Sequence, residues 1–293
     1  MKNLKIIDVR ALPGDSAFLL DDGKTSILYD TGYAFTGYKI AENIKKELGS
    51  RPLDYIFLTH SHYDHALGSV YISKYYPYAK VAAGEYAAKI FNKESARAVM
   101  RDLDKKAAAG NGVYEYEDLI DDLKVDIPVN DGDVIAAGDM DFEVISLPGH
   151  TRCSIGFYLR ENKLLLSSET LGVYYTDKTV MPSYLIGYDT TLESIKKAKE
   201  LEIESILLPH FGIVNKNDTA HFLKKSEEVA IEVYENMKSI FLSGGDTEDC
   251  INYLKDSFYT ECVKETYPID AFRLNSGIMA ELIKKELAFL KKE

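Results

Sequence analysis

Cysteine is scarce in this sequence, and long apolar runs are missing. The 293 residues include three cysteines, Cys153, Cys250 and Cys262, an odd number with no close pairing. A disulfide framework is therefore not expected, and a reducing, cytoplasmic compartment fits best. The N-terminus lacks an apolar core followed by a small-residue cleavage site, and no apolar run is long enough to cross a bilayer. We expect neither a secretion signal nor a transmembrane helix.

Positive charge is also in deficit. Lysine and arginine number 35 against 47 acidic residues, which gives a formal net charge of -12 and a pI of about 5.1. An acidic surface repels phosphate backbones and anionic lipid, so nucleic acid and membranes are poor partners. The 46% hydrophobic and 28% charged residues are ordinary for a globular protein. The length allows one large domain with a substantial core, with or without a small appendage.

Apolar runs separated by turn residues predict a mixed α/β body as far as residue 215. The predicted strands are 4–10, 16–20, 26–30, 54–59, 134–136, 142–147, 155–159, 163–167 and 203–208. Helical spacing predicts helices at 39–48 and 192–201, and segment 84–124, rich in Ala, Lys, Glu and Asp, predicts two or three more. After residue 216 the chain is charged and helical, with predicted helices at 221–242, 247–258 and 276–292.

Three of the six histidines fall in one short stretch. His60, His62 and His65, together with Asp64, directly follow the apolar run 54–59. Neutral imidazole is a good ligand for zinc and similar metals, and a carboxylate helps to neutralise the ion. The alternative is a polar loop that is rich in histidine by chance. Further candidate ligands, each placed just after a predicted strand, argue against chance: His150, Glu169 and His210.

These residues resemble the metallo-β-lactamase-fold hydrolase superfamily, which includes glyoxalase II-like and lactonase-like enzymes. His60-x-His62-x-Asp64-His65 matches the signature of that family, and His150 and His210 match its later histidines. The turn 30–32, Asp-Thr-Gly, is similar to an early turn of the family. The resemblance covers about residues 1–215. It implies a four-layer αββα sandwich with metals at one edge, followed by a C-terminal helical extension over 216–293.

The resemblance also implies how the ligands divide. His60, His62 and His150 would bind one metal, while Asp64, His65 and His210 would bind a second. Two divalent ions are expected, zinc first, with iron and manganese as alternatives. Glu169 stands where most binuclear members have a bridging aspartate. It could bridge both ions, bind one ion, or hydrogen-bond a water on the metal, and the remaining alternative is a solvated surface acid.

The implied reaction is hydrolysis of an ester, thioester, lactone or related bond in a small molecule. A hydroxide bridging the two ions would attack, and Asp64 would carry a proton from the attacking water to the leaving group. A second hypothesis is a non-haem iron redox enzyme of the diiron oxidoreductase or sulfur dioxygenase type, for which Glu169 would be a suitable oxygen ligand. A third is a non-catalytic binding protein on the same fold.

Several residues carry weaker predictions. Asp30 and Thr59 could orient ligand histidines, although Asp30 could equally be a plain turn residue. Candidates to line a substrate pocket, with ordinary packing as the alternative, are Tyr63, Arg152, Tyr174, Tyr175 and Tyr184. Segment 84–124 could form a lid. The amphipathic last helix predicts either a homodimer contact or packing against the sandwich.

Overall fold

The computed structural model describes residues 4–290, and its strands form two facing sheets. The strands of the first sheet, in spatial order, are β1 (Lys5–Asp8), β2 (Phe18–Asp21), β3 (Ser26–Tyr29), β4 (Tyr55–Leu58), β5 (Lys80–Gly84) and β6 (Ile127–Val129). The pairs β1–β2 and β2–β3 are antiparallel, whereas β3 to β6 run parallel. In this sheet the carboxyl ends of β3 and β4 therefore lie at the same edge.

The second sheet is mostly antiparallel. Its strands in chain order are β7 (Val134–Ala137), β8 (Met140–Ser146), β9 (Ile155–Leu159), β10 (Leu164–Leu166), β13 (Ser205–Leu208) and β14 (Gly212–Val214), and their spatial order is β14-β13-β10-β9-β8-β7. β10 and β13 pair in parallel. A separate two-stranded ribbon joins β11 (Val173–Tyr174) to β12 (Val180–Met181). The carboxyl ends of β8, β10 and β13 share one edge, because β9 is antiparallel to both β8 and β10.

The core between the sheets follows from the two-residue period of the strands. In β4, Phe57 points between the sheets, while Ile56 and Leu58 point to the outer face. The Phe57 ring stacks on Phe157 of the second sheet, with centroids 4.4 Å apart. Both faces of each sheet are thus apolar, and each outer face needs a covering layer of helices.

Helices supply those two covering layers. The helices over the first sheet are α1 (Gly37–Leu48), α3 (Gly68–Tyr75), α4 (Glu85–Phe91) and α5 (Glu94–Gly110), and those over the second are α6 (Tyr188–Glu200) and α7 (Lys216–Leu242). In α1, Ile40 and Ile44 are buried one turn apart. The predicted four-layer αββα sandwich is confirmed. Within residues 4–290 we find no helix that combines the length and apolar character needed to cross a membrane.

The C-terminal helices build a core of their own. They are α8 (Thr247–Phe258), α9 (Glu261–Thr266) and α10 (Ile269–Leu290). Phe272 and Met279 of α10 are fully buried there, together with Met237 of α7 and Tyr184 from the loop after β12. This region after residue 216 is helical, as predicted, and α7 joins it to the sandwich because the same helix also packs against the second sheet.

The structure differs from the sequence-based expectation in some elements and boundaries. The short strands β5 and β6 were not predicted, since their sequences Lys-Val-Ala-Ala-Gly and Ile-Pro-Val show little of the pattern typical of strands. Segment 84–124 forms two α-helices and a 3-10 turn at Ile120–Asp122, with 111–119 outside any helix. Four helices begin earlier than predicted: α1, α6, α7 and α10. The predicted end of the last helix, at residues 291–292, lies outside the described residues.

Asp104 ties α5 to the loop that precedes α1. Its carboxylate is fully buried and accepts hydrogen bonds from the Ala34 amide at 2.8 Å and from the Tyr116 hydroxyl at 2.5 Å. Burial raises the pKa of Asp104 to about 6, helped by the negative charge of Asp64 and opposed by the hydrogen bonds from Tyr116 and Ala34. Segment 84–124 thus carries a carboxyl group that titrates near neutrality.

Because the pKa of Asp104 is raised on folding, its contribution to stability is present at low pH and is lost as pH rises through about 6. Between pH 5 and pH 7, we expect the free energy of unfolding of the wild-type protein to fall by about 1 kcal/mol more than that of Asp104→Asn. Urea unfolding of both proteins at several pH values measures this difference. A stability difference that is independent of pH would contradict the prediction.

Candidate metal centre

Five strand ends deliver polar side chains to one edge of the sandwich. Each of these strands ends with its carboxyl terminus at this edge, and the residues that follow are Asp30 after β3, His60 after β4, His150 after β8, Glu169 after β10 and His210 after β13. Rigid sheets therefore hold these side chains in place. His62 is the N-cap residue of the one-turn helix α2 (Tyr63–Ala66), which also carries Asp64 and His65.

The backbone around His65 is locked to the turn after β3. The Thr31 amide and hydroxyl donate to the His65 carbonyl at 2.8 and 2.7 Å. Gly68, at the start of α3, lies so close to this turn that a Cβ there would sit 1.9 Å from the Thr31 carbonyl oxygen. A side chain at position 68 would therefore push apart the two loops that bring His65 and Asp30 together.

The first group of candidate ligands contains His60, His62, His150 and Glu169, whose ligand atoms all lie within 4.8 Å of one another. His150 Nε2 is 2.7 Å from Glu169 Oε2 and 2.9 Å from His62 Nδ1. His60 Nε2 is 3.7 Å from the same Glu169 oxygen. Three imidazole nitrogens and one carboxylate oxygen therefore converge on a space the size of one metal ion.

The second group contains Asp64, His65 and His210, again with ligand atoms within 4.8 Å of one another. Glu169 also reaches this group: its Oε1 is 3.3 Å from His210 Nε2, and its Oε2 is 3.8 Å from His65 Nε2. Glu169 is 9% exposed. It is thus not a solvated surface acid but a buried carboxylate between the two groups.

Four of the histidines have their other ring nitrogen held by a hydrogen bond. His65 Nδ1 is 2.8 Å from Asp30 Oδ2, and His60 Nδ1 is 3.0 Å from the Thr59 hydroxyl, which itself contacts Asp30. His150 Nδ1 contacts Ser183, and His210 Nδ1 donates to the Gly14 carbonyl at 2.9 Å. A carbonyl or carboxylate acceptor keeps a proton on Nδ1, which leaves Nε2 as the nitrogen that faces the centre and can bind an ion.

The donor set fits divalent metal ions. Among the described side chains, His60 Nε2 and His65 Nε2 are buried nitrogens without a hydrogen-bond partner, a costly state that a metal ion would relieve. Burial lowers the pKa of His60 and of His62 well below the ordinary value, and neighbouring histidines lower it further. Both rings are therefore neutral near pH 7, which is the form that binds metal.

The carboxylates balance the positive charge at this centre. Burial disfavours the charged form of His65, but Asp64, Asp30 and Glu169 outweigh it and raise the pKa of His65 to about 9. Burial also opposes ionisation of Glu169, yet His150 and His210 hold its pKa well below the ordinary value. A carboxylate that stays ionised inside the protein suits a site built for cations.

Replacing Asp30 should test its role in orienting the ligands. Asp30→Asn keeps the size of the side chain but removes the charge that accepts from His65 and Thr59. We expect zinc binding to weaken by about 10- to 100-fold, because partners of this kind fix ring orientation and ligand basicity. Titration of metal-free protein with zinc measures this, with the exposed Asp141→Asn as control. Unchanged affinity would show that Asp30 is only a turn residue.

The candidate pocket residues are only partly brought together: Tyr63 and Tyr175 both lie within electrostatic range of Glu169. Tyr63 is half-buried, and its ring lies 5.7 Å from that of Tyr33, beside the second ligand group. Arg152 is exposed. The other three tyrosines are buried in apolar clusters: Tyr174 against Phe211 and Phe222, and Tyr175 and Tyr184 in the core of the C-terminal helices.

Tyr267 was missed by sequence reasoning. It lies between α9 and α10, and the Asn275 amide donates to its hydroxyl at 2.6 Å. Burial raises the pKa of Tyr267, and the charges of Glu169 and Asp64 raise it further, which places the phenol within electrostatic range of the ligands. One tyrosine among 21 carries no local signal. Only the packing of the C-terminal helices places it here.

Comparisons with known proteins agree with this architecture. Residues 13–210 match the family model described as "Metallo-beta-lactamase superfamily". The chain therefore belongs to the metallo-β-lactamase superfamily. The metallo-beta-lactamase fold-containing protein ST1585 of Sulfurisphaera tokodaii is 30% identical over 197 residues, which are 62% of this chain and 70% of that protein.

A second relative and a solved structure extend the comparison. Hydroxyacylglutathione hydrolase GloC of Haemophilus influenzae is 24% identical over 213 residues, covering 72% of this chain and 91% of that protein. The crystal structure of the metallo-beta-lactamase family protein TTHA1429 from Thermus thermophilus has a TM-score of 0.63 at 18% identity. That match covers 98% of this chain and 94% of the other chain, so the shared fold includes the C-terminal helices.

Proposed function

We propose that this protein is a metal-dependent hydrolase that cleaves an ester, thioester, lactone or related bond of a small molecule. The observation that carries the proposal is the pair of adjacent ligand groups with the buried Glu169 between them. The similarity to a hydroxyacylglutathione hydrolase supports a thioester or ester as the first substrate class. A cytoplasmic location and the absence of nucleic-acid and membrane partners belong to the same proposal.

Two divalent ions, zinc first, would supply Lewis acidity at this centre for activating water and polarising a carbonyl oxygen. The protein residues then have distinct tasks. His60, His62 and His150 would hold one ion, and Asp64, His65 and His210 the other, with Glu169 facing both. Asp64 is 19% exposed at its side chain. Its carboxylate can accept a proton from the attacking water and return that proton to the leaving group.

Aromatic side chains beside the second ligand group would meet the substrate. Tyr33 and Tyr63 lie on one side, while Tyr267 comes from the C-terminal helices. The Tyr267 hydroxyl accepts from Asn275 at 2.6 Å and donates to the Ala271 carbonyl over a long 3.5 Å, so an acceptor on the substrate would compete with a weak hydrogen bond for the phenol proton. Such rings bind an apolar acyl group and still offer a hydrogen bond.

The deciding experiment combines metal analysis with a substrate panel. We expect purified protein to hold close to two zinc ions per chain and to hydrolyse esters, thioesters or lactones. Chelation should abolish turnover, and zinc should restore it. His60→Ala should lose both metal and activity, whereas His221→Ala is the matched control, because His221 is exposed on α7, outside the cluster. Hydrolysis that survives complete metal removal would refute the proposal.

The competing function is a non-haem iron redox enzyme on the same fold. Glu169 favours the redox function in one respect, since a site with a carboxylate ligand suits iron better than a site with imidazole ligands alone. Metal analysis distinguishes the two functions. Two iron ions and visible absorption would support the redox function, and colourless protein with two zinc ions would support hydrolysis.

A further inference from the structure

His210 lies in a strained turn at the end of β13. Its backbone φ of +60° falls in the left-handed region, which a residue with a Cβ rarely adopts. The Phe211 amide donates back to the Pro209 carbonyl at 2.6 Å, so His210 forms the middle of a three-residue turn. Such a conformation persists only where surrounding contacts hold it. Because the turn aims the His210 ring, those contacts decide where the ring points.

Arg10, which follows β1 of the first sheet, supplies contacts of this kind. Its guanidinium donates through Nη1 to the backbone carbonyl of His210, and through the same nitrogen to the Pro13 carbonyl at 3.1 Å. Pro13 precedes Gly14, whose carbonyl accepts the hydrogen bond from His210 Nδ1 at 2.9 Å. One guanidinium therefore fixes both the main chain of His210 and the loop that orients its ring.

The guanidinium is itself held in place. Arg10 Nε donates to Asp8 Oδ1 at 2.9 Å, and Nη2 donates to Asp8 Oδ2 at 2.5 Å. Its charged end also lies 5.0 Å from the centroid of the Phe18 ring. The Arg10 side chain is 19% exposed and its contact with His210 is partly buried, whereas the Asp8 side chain is 50% exposed. A bidentate ion pair and a cation–π contact give the guanidinium one fixed orientation.

We propose that Arg10 is a positioning residue for the second ligand group, acting through the backbone of His210. The proposal rests on the metal binding assumed in the proposed function. Arg10 should matter for the ion held by Asp64, His65 and His210 and not for the other. The histidines of the first group have separate supports, namely Thr59 for His60 and Ser183 for His150.

Zinc titration of the metal-free full-length chain tests this without any substrate. In Arg10→Met we expect one of the two binding equivalents to weaken at least tenfold, in line with the usual effect of removing a ligand's supporting partner. The other equivalent should stay within about threefold of wild type. Arg10→Lys should recover part of the affinity, because an ammonium group can still donate to one carbonyl but cannot form the fork that also binds Asp8.

Arg160→Met is the matched control. Arg160 also pairs with a carboxylate, Glu143, and lies 5.4 Å from the Tyr158 ring centroid, yet it is on the surface away from the ligands. A double-mutant cycle identifies the affected group. In the His210→Ala background, Arg10→Met should cause little further loss of zinc affinity. In the His150→Ala background, the loss caused by Arg10→Met should add in full to that of His150→Ala.

Three results would overturn the proposal: equal weakening of both equivalents in Arg10→Met, no weakening of either, and full additivity with His210→Ala. Wild-type protein that binds a single zinc ion would also overturn it, because no second group would then be loaded. Two zinc ions bound in wild type without hydrolysis of any substrate would instead reject the proposed function alone and leave the role of Arg10 standing.

Discussion

Asp64→Ala is expected to lower kcat by about 100- to 10,000-fold, the range typical of a residue that transfers the proton in the rate-limiting step. Asp64 Oδ2 lies 3.6 Å from His65 Nε2 and 3.8 Å from His210 Nε2, at the partly exposed side of the second group. It is the carboxylate of that group to which a bound substrate has access. The neighbouring Glu169 is ionised, buried and paired with His150 and His210, so it cannot take over this task.

The measurement is steady-state turnover together with metal content and thermal unfolding. The fold should survive, since Asp64 lies partly exposed on the one-turn helix α2 and its carboxylate faces the ligands His65 and His210. Asp102→Ala is the control, because Asp102 is an exposed aspartate of α5 that pairs with Lys106. A fully active Asp64→Ala enzyme would remove Asp64 from the mechanism. Loss of one ion in this variant would show that Asp64 serves as a ligand as well as a proton carrier.

Glu169→Gln is expected to lower the affinity for at least one ion by about 100-fold, and turnover with it. The substitution keeps the shape of the side chain but removes the charge that faces both ligand groups. Four histidine nitrogens lie within 3.8 Å of its carboxylate oxygens, from His60, His65, His150 and His210. Without this charge, two metal ions bound at the two ligand groups would no longer have a negative group between them, and their mutual repulsion would weaken binding.

Glu169→Asp separates charge from length. It keeps the carboxylate on a side chain one methylene shorter, which is the residue that the family usually has here. We expect it to retain two ions and turnover within about tenfold of wild type, because α2 and the strand ends stay fixed. Glu202→Gln, an exposed glutamate that pairs with Lys163, is the control. Two ions bound with unchanged affinity in Glu169→Gln would show that Glu169 does not bridge.

The chemistry of the centre could be predicted because it is local. His60, His62, Asp64 and His65 follow one apolar strand, and their residue types and spacing are visible without a fold. His150, Glu169 and His210 could be added because each follows an apolar run, and active sites in layered α/β proteins commonly use the loops at strand ends. The apolar runs predicted a mixed α/β body, and the resemblance to the metallo-β-lactamase-fold superfamily implied its four-layer arrangement. This arrangement is confirmed by the two sheets and by the match over residues 13–210.

The sequence by itself therefore determined which side chains could bind metal, since imidazole and carboxylate groups can be recognised by residue type. Asp30 and Thr59 were also predicted to orient ligand histidines, and they contact His65 and His60. Only the tertiary structure decided what orients His210. The His210 ring is held by a carbonyl at Gly14 and its backbone by a guanidinium at Arg10, about 200 residues away in the chain. Every residue has a carbonyl, so such partners leave no trace in the sequence. Tyr267 is similar, because a phenol beside the ligands depends on how helices after residue 216 pack, and packing is a property of the whole fold.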